Sequence, residues 1–482
     1  MTVAVIGAGW AGLAAAVTLH QKGVATHVFE AAPRPGGRAR TVDWPASAHT
    51  PDNRLITDNG QHILLGAYTA TLDLMRALGR DPDTCFLGYP LSLEHARGSF
   101  ALNALPLPAP LHLLAGLLRA RGLNGRERLA LLRQLSSVRA IANGRPLPAG
   151  LETVQAWLVH GHQPETLIQG FWAPLCVAAM NTAAHEACTR LFSRVLADSL
   201  TGPASASRIL IPRRPLGELW CDTAIKALSQ ENGASRFYPG TPVRGLTRQA
   251  DGTFCIHTTR HATDTAPAKT SGYSAVIVAT PPRQALRLLA NLPDPPPAAN
   301  AAAEQAETAR SPGALRRCLE HFEYRPIATL TLLLDQPWND PAPMLMLHED
   351  HAAGFRGQWV FNHRHYDGQS RLSVVISDAT HTSHLDGEAL ARAVIAQLQA
   401  QTSTRAPLPR IVAHKLIIEK RATFAAVPGL VRPANITPWP GILVAGDWTD
   451  TGYPAVLEGA VRSGLAAARH VLDHRTQPLG TP

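Results

Sequence analysis

The residues that bear most directly on chemistry open the chain. Val3-Ala4-Val5-Ile6 is an apolar run of strand character that ends in Gly7-Ala8-Gly9-Trp10-Ala11-Gly12. A helical pattern follows from Ala11 to Lys22, with Leu13, Ala16, Val17 and Leu19 on its apolar face and Gly23 placed to end it. A second strand pattern, Thr26 to Glu30, closes on an acid. Strand, glycines, helix, strand and acid in this register are the parts of a dinucleotide site, and an accidental glycine-rich turn would not supply them in order. Gly7 permits the tight turn, Gly9 lets backbone approach a pyrophosphate, and Gly12 lets the helix lie close to the strand. Ala11 belongs to the same turn, at a helix start where free N–H groups and the dipole favour negative charge. Glu30 is placed to accept hydrogen bonds from adenosine ribose hydroxyls.

The next residues, Pro35-Gly36-Gly37-Arg38-Ala39-Arg40-Thr41, resemble the extended fingerprint of the large flavoprotein family that contains amine oxidases and carotenoid desaturases. That resemblance implies FAD as the cofactor, with Gly37 and Arg38 against its pyrophosphate. A planar, permanently charged fork suits that work better than an ammonium. Near the other end, Gly441 to Asp447 reads as a buried strand ending in Gly446-Asp447, followed by a loop and a helical pattern from Ala455 to Leu472. In the family this is the second flavin motif. It implies that Asp447 bonds the ribityl–pyrophosphate region and that the backbone amides of Val456 and Leu457 face the flavin pyrimidine. A helix start there would stabilise negative charge on reduced flavin. Thr241 to Leu246 resembles the strand whose valine, Val243, pairs with adenine, and Ser274 to Pro282 resembles the strand returning toward the FAD. The expected fold is therefore α/β: a Rossmann-type FAD-binding domain, a parallel sheet with flanking helices, with an inserted α+β substrate domain, amine-oxidase-like. Only one G-x-G-x-x-G is present, which argues against the two-dinucleotide disulfide reductases.

Thr57 to Tyr68, with Gly60 at its centre, corresponds to the segment that passes beside the flavin ring, and its wording resembles the isoprenoid-acting branch, in particular the hydroxysqualene dehydroxylases. The strands suggested by Pro343 to Leu347 and Gln358 to Phe361 resemble the same branch. The implied activity is reductive dehydroxylation of hydroxysqualene to squalene, in squalene and hopanoid synthesis. Such chemistry needs an apolar tunnel, an acid that lets hydroxide leave as water, and a hydride from flavin N5. Residues 85–200 and 286–410 hold no G-x-S-x-G and no Cys–His signature, but they do hold Phe171, Trp172, Trp359 and Phe361, and Trp220 lies between them. Aromatic faces suit an incipient allylic cation, and water exclusion protects it. His62 and Asp58 are the candidates for proton supply. The electron donor is a transiently docked nicotinamide such as NADPH, or another carrier. An oxidising carotenoid or phytoene desaturase, an amine oxidase and a non-catalytic isoprenoid carrier are the alternatives; the scarcity of lysine weighs against the amine oxidase.

Length and composition set the frame for these motifs. At ~150 residues per domain, 482 residues hold two or three folding units, and 45% hydrophobic with 17% charged content excludes general disorder. The order read from the motifs is 1–80, 203–285 and 411–475 for the FAD-binding domain, 81–202 (mainly helical) and 286–410 (sheet plus helix) for the substrate domain, and a 476–482 tail. The net charge is +9, yet only five basic residues are lysines and the arginines are scattered, so nucleic acid is not an expected partner. A mild attraction to anionic membrane surfaces is compatible with it. Leu105 to Leu118 is apolar and is followed by Arg119, Arg121, Arg126, Arg128 and Arg133. It is too short to span a bilayer, and reads either as a buried helix or as a peripheral contact with a membrane interface. Six dispersed cysteines without a C-x-x-C pair argue against disulfide and zinc frameworks. Without H-E-x-x-H, the pairs His363/His365 and His381/His384 are read as ordinary solvated histidines, with no metal. The opening on an apolar strand gives the expectation of no signal peptide and a reduced, cytoplasmic enzyme, peripheral at the inner membrane face if the apolar stretch touches lipid. Leu292 to Arg317 reads as an irregular connection, Thr265 to Gly272 as an enlarged hairpin loop, and the chain after Asp473 as a tail.

Overall fold

A computed structural model describes residues 1–44, 55–229, 233–259, 269–295, 311–382 and 385–474. Its organising element is a five-stranded parallel sheet in the spatial order Arg236–Tyr238, Ala25–Phe29, Thr2–Ile6, Ala275–Val278, Ile442–Val444. Strands so ordered come from four distant parts of the chain. Both faces are buried, as parallel sheets require. Val3, Val5, Val28 and Ile277 face the Trp10–Gln21 and Leu457–Asp473 helices. Ala4, Ile6, Phe29 and Val278 face the other way, toward Phe254 and Tyr273 of a three-stranded antiparallel sheet. The opening and closing helices touch where glycine permits it. A Cβ on Gly464 would stand 2.1 Å from the Ala11 carbonyl oxygen, and one on Gly12 would stand 1.9 Å from that of Gly7.

A second, antiparallel sheet runs Met344–Met346, Trp359–Asn362, Ser370–Ile376, Tyr324–Leu334, Ile411–Phe424. Its period-two alternation sorts residues cleanly between two faces. Ala328, Leu330, Val360, Leu372 and Val374 pack under the Gly387–Gln401 helix through Leu390, Ala391, Val394 and Leu398. Ile327, Thr329, Met344, Trp359, Phe361 and Val375 point the opposite way and line a cavity. Between residues 111 and 200 the chain is mainly helical; Leu111–Arg119, Gly125–Ala142, Ala173–Met180 and Thr189–Leu200 wall that cavity, and Val154–His160 packs behind them.

Several expectations need correction. Residues 411–424, assigned to the cofactor domain, form the edge strand of the antiparallel sheet, paired along Tyr324–Leu334. Residues 269–272, expected in a loop, belong to the third strand of the small sheet, Lys269–Tyr273, while 260–268 lie outside the described residues. Pro312–Glu320 is a helix, capped by the Ser311 side chain, within what read as an irregular connection; its 296–310 part lies outside the described residues, as do His384 and residues 475–482. The closing helix starts at Leu457 rather than Ala455, because Val456 is extended (φ −126°) and its N–H turns back to the Pro454 carbonyl at 2.8 Å. His363 is not solvated but 4% exposed. Trp172 and Trp220 are fully buried away from the cavity. Trp172 donates to Gln163, and Trp220 meets Trp10 edge-on at 5.3 Å.

The contact between the terminal helices generates a test. Gly464→Val places a branched side chain against the Ala11 backbone, and overpacking of this kind costs about 1–3 kcal/mol. The variant is expected to melt several degrees below the parent, whereas Gly125→Ala, where a Cβ meets nothing within 4 Å and the backbone is not left-handed, serves as a control for glycine loss without a clash. Equal melting of Gly464→Val and parent would show that the helices do not pack at this distance.

Candidate functional site

The carboxyl ends of the parallel strands open into a cavity of about 1090 Å³. Residues from every flavin-like motif line it: Gly7, Gly9, Ala11 and Glu30, then Gly37 and Arg38, then Gly60 and His62. Val243, Gly446, Asp447, Val456 and Leu457 complete the polar part. Gly12 is set behind it, under the helix, where its missing side chain matters for packing.

The chain's own geometry suits a dinucleotide with a diphosphate. Gly7 takes the left-handed turn (φ +104°) that carries the chain from strand to helix. Gly9 caps the helix without a side-chain hydrogen bond, so the first-turn N–H groups lack intrahelical partners and face the groove. Atoms added at Gly9 would meet nothing nearer than the Gly37 Cα at 3.9 Å; the space belongs to the cavity. Glu30 anchors the turn, with one carboxylate oxygen accepting from Ala8 N–H at 2.7 Å and the other from Ala32 N–H at 2.8 Å. Each oxygen keeps a lone pair for a hydroxyl.

Arg38 and Asp447 meet at 2.5 Å across 409 residues of sequence, and Arg38 also donates to the Ala422 carbonyl at 2.6 Å. Burial opposes the Arg38 charge, and the Asp447 carboxylate more than offsets it, so the guanidinium is held protonated. The Gly446-Asp447 turn is fixed from behind. Gly446 N–H donates to the Ser463 hydroxyl at 3.0 Å, and the Trp448 indole donates to the Thr280 carbonyl at 3.1 Å.

His62 lines the cavity with its Nδ1 3.0 Å from the Gly60 carbonyl. A carbonyl only accepts, so Nδ1 carries the proton, and the neutral ring presents Nε2 as an acceptor. Burial pulls its pKa below the ordinary histidine value, with the Gly60 bond opposing and the nearby Arg38 charge adding to the shift. Asp58 does not line the cavity. Its carboxylate is occupied behind the wall, accepting from the Tyr366 hydroxyl, from Leu216 N–H at 2.9 Å and from Thr41 at 3.4 Å. Burial pushes it up to about 7 in spite of those bonds. As a direct proton source the expectation for Asp58 is therefore revised; as a member of a buried Asp58–Tyr366–Arg371 stack, with Arg371 4.7 Å over the Tyr366 ring, it ties two elements together.

Sequence reading missed Gln61, His363 and Thr329. The Gln61 carbonyl oxygen lies 2.8 Å from His363 Nε2, and Gln61 N–H donates to Thr329 at 3.3 Å, joining the flavin-side segment to the antiparallel sheet. Burial lowers the His363 pKa to about 4, so this bond involves the neutral ring. No local motif signals a pair separated by 302 positions.

The lobe between the helices and the antiparallel sheet is largely apolar, with Asn181, Ser199, Thr201 and Ser207 as uncharged polar exceptions on its helical side. Phe171 and Leu175, one helical turn apart, and Leu131 and Leu135 likewise, face the sheet residues Met344, Trp359 and Phe361. No lining residue between positions 91 and 209 is charged.

The raised Asp58 value carries a pH signature. A carboxyl that titrates higher folded than unfolded makes the folded state bind the extra proton, so its contribution to stability is present at low pH and is lost as pH rises from about 4 to about 7. Asp58→Asn is expected to remove that decline, about 4 kcal/mol across the window, read as melting temperature against pH for both proteins. Parallel profiles would mean that Asp58 titrates normally.

Comparison with known proteins agrees with this geometry. Residues 10–472 match the family of flavin containing amine oxidoreductases. Hydroxysqualene dehydroxylase of Rhodopseudomonas palustris is 29% identical over 479 residues, covering 98% of both chains. That of Zymomonas mobilis is 26% identical over 484 residues, covering 98% of this chain and 99% of the relative. Among solved structures, putrescine oxidase bound to putrescine superimposes with a TM-score of 0.65 at 16% identity, over 98% of this chain and 99% of that one. Reduced UDP-galactopyranose mutase gives 0.63 at 15%, over 99% and 96%. At such identities the structures establish a shared fold only. The chain thus belongs to the flavin containing amine oxidoreductase family, and it is a flavin-dependent oxidoreductase.

Proposed function

We propose that the protein binds FAD and reductively removes the hydroxyl of hydroxysqualene to give squalene. The observation that carries this reading is the continuity of one cavity: a diphosphate-compatible groove at the strand ends opens directly into a lobe whose helical walls carry no charge. An ammonium substrate would find no counter-charge on those walls; a long polyisoprene would bury against them at roughly 25 cal/mol per Å². The names of the relatives from R. palustris and Z. mobilis support the same substrate.

In the overall reaction the C–O bond breaks, the oxygen leaves as water after taking a proton, and the carbon takes a hydride. FAD, when bound in the groove and reduced, would supply that hydride, its electrons coming from an external two-electron carrier such as a nicotinamide. Gly9, Gly37, Arg38 and Asp447 would hold the diphosphate–ribityl region, Glu30 the ribose and Val243 the adenine, and Gly60, Val456 and Leu457 would border the ring. Because Val456 N–H is taken by Pro454, the Leu457 N–H is the amide left to face the pyrimidine. Phe171, Trp359 and Phe361 offer aromatic faces to positive charge developing on the allylic carbon, and the leucine-lined lobe keeps water from capturing it. His62 delivers the proton to the departing oxygen after charging at Nε2. Since burial lowers its pKa, an acid-limited rate rises as pH falls below neutrality.

One observation favours a second reading. Neutral His62 presents an acceptor nitrogen to the cavity, which matches proton removal in an oxidising polyisoprenoid desaturase. Anaerobic mixing separates the two. Reduced holoenzyme with hydroxysqualene is expected to return to the oxidised flavin spectrum as squalene forms, one per flavin. Reduced flavin that persists, with oxidised flavin bleaching on a saturated polyisoprenoid instead, would establish the desaturase. In the same assay His62→Ala is expected to keep its flavin and lose about 100-fold or more in turnover, the usual contribution of a general acid. Parental turnover in that variant would remove His62 from the reaction.

A further inference from the structure

Eleven large apolar side chains are exposed among the described residues, and six of them fall between positions 107 and 132: Leu107, Leu111, Leu114, Leu118, Leu129 and Leu132. On the Leu111–Arg119 helix, Leu111, Leu114 and Leu118 have the i, i+3, i+7 spacing of one face. Leu118 is 71% exposed, although leucine is among the residues most often buried. On the Gly125–Ala142 helix, Leu129 and Leu132 share a face in the same way. The other sides of these two helices look inward, where Leu113, Leu117, Leu131 and Leu135 line the cavity. Leu114 and Leu132 do both: they are exposed outside and they line the interior. They therefore stand at the rim of an opening, and the outer apolar patch is continuous with the apolar lobe.

The charge along these helices is predominantly positive. Between residues 95 and 151 the chain carries eight arginines and a single acid, Glu127. Glu127 is committed to its helix cap, accepting at Asn124 N–H, and to the Thr166 hydroxyl. Arg119, Arg121, Arg126 and Arg133 are exposed, and among the described residues none has an ion-pair partner. A short leucine face ringed by unpaired arginines is the arrangement that lies in a bilayer interface, with leucines among the acyl chains and guanidinium groups at the head groups. No described helix is long and apolar enough to cross a membrane, so the contact is with one leaflet.

We propose that this face docks on an anionic lipid bilayer and that the opening between Leu114 and Leu132 admits the substrate from it. Anionic lipid is the occupant because the rim is predominantly positive, its exposed arginines outnumber its single acid, and the patch is continuous with a lobe that takes an apolar ligand. A ligand of that kind partitions into the acyl chains rather than water. The second half of the proposal rests on the polyisoprenoid reading; the docking itself does not.

Flotation of the full-length holoenzyme tests the docking without any substrate. With vesicles of phosphatidylcholine and phosphatidylglycerol the parent is expected to float, and with phosphatidylcholine alone to float much less. Leu111→Asp/Leu118→Asp, at two positions outside the cavity lining, is expected to lose about tenfold or more in the floated fraction, with flavin content and melting temperature retained. In turnover the same variant should match the parent on detergent-dispersed hydroxysqualene and fall behind it on hydroxysqualene embedded in vesicles. Absence of the parent from anionic vesicles would overturn the proposal and leave the patch to a protein partner. Undiminished flotation of the double variant would overturn it too, and equal turnover from vesicles would overturn the entry route. Flotation as expected with no turnover from either preparation would sink the hydroxysqualene reading while leaving the docking intact.

Discussion

A groove for a dinucleotide exists here only because two stretches 409 residues apart come together, and Arg38 against Asp447 is where they meet. The carboxylate is almost wholly buried, so the pair cannot be replaced by water without leaving a desolvated charge. Around it everything else falls into line. Gly464 seats the closing helix on the opening one, Ser463 holds the turn before Asp447, and Trp448 ties that turn to the end of the Ala275–Val278 strand. The chain between these ends is free to build a separate wall, provided that it returns.

The antiparallel sheet supplies that wall, and its strict alternation lets one set of strands serve two purposes. Residues on one face bury under the Gly387–Gln401 helix and give the sheet its stability. Their immediate neighbours, Trp359, Phe361, Val375 and Ile327, form the floor of the substrate lobe. The Ile411–Phe424 strand crosses from this sheet to the cofactor groove, since its Ala422 carbonyl receives Arg38. Cofactor and substrate regions are thus joined by backbone rather than by a hinge between separate bodies.

Much of the cofactor side was legible in sequence because its residues act through local geometry. A glycine turn between strand and helix, an acid at the end of the next strand, and a Gly-Asp before the last helix are short-range patterns, and the structure brings them to one cavity. What escaped depends on long-range packing. Asp58 lies four residues from His62 yet sits behind the wall, because the Leu55–Asp58 strand ends there, its carboxylate is drawn to Leu216 and Tyr366, and the chain turns before it reaches the cavity. Trp172 and Trp220 looked like a substrate lining, but indole area is equally useful in a core, and only the fold decides between them. His363 looked solvated since nothing near it in sequence announces Gln61 or Ser373 as partners. The apolar stretch at Leu105–Leu118 left a buried and an exposed reading open, and the structure gives it both: one side of the helix lines the cavity and the other faces outward.

The central claim is that a hydride passes within this cavity from reduced flavin to the carbon losing its hydroxyl. Its most direct test is a single anaerobic turnover of the reduced holoenzyme with hydroxysqualene in deuterium oxide, where the exchangeable flavin hydrogen becomes deuterium, followed by mass and NMR analysis of the product. The account predicts squalene bearing deuterium at the carbon that held the hydroxyl. Squalene without deuterium at that carbon, or no squalene while the flavin stays reduced, would contradict it.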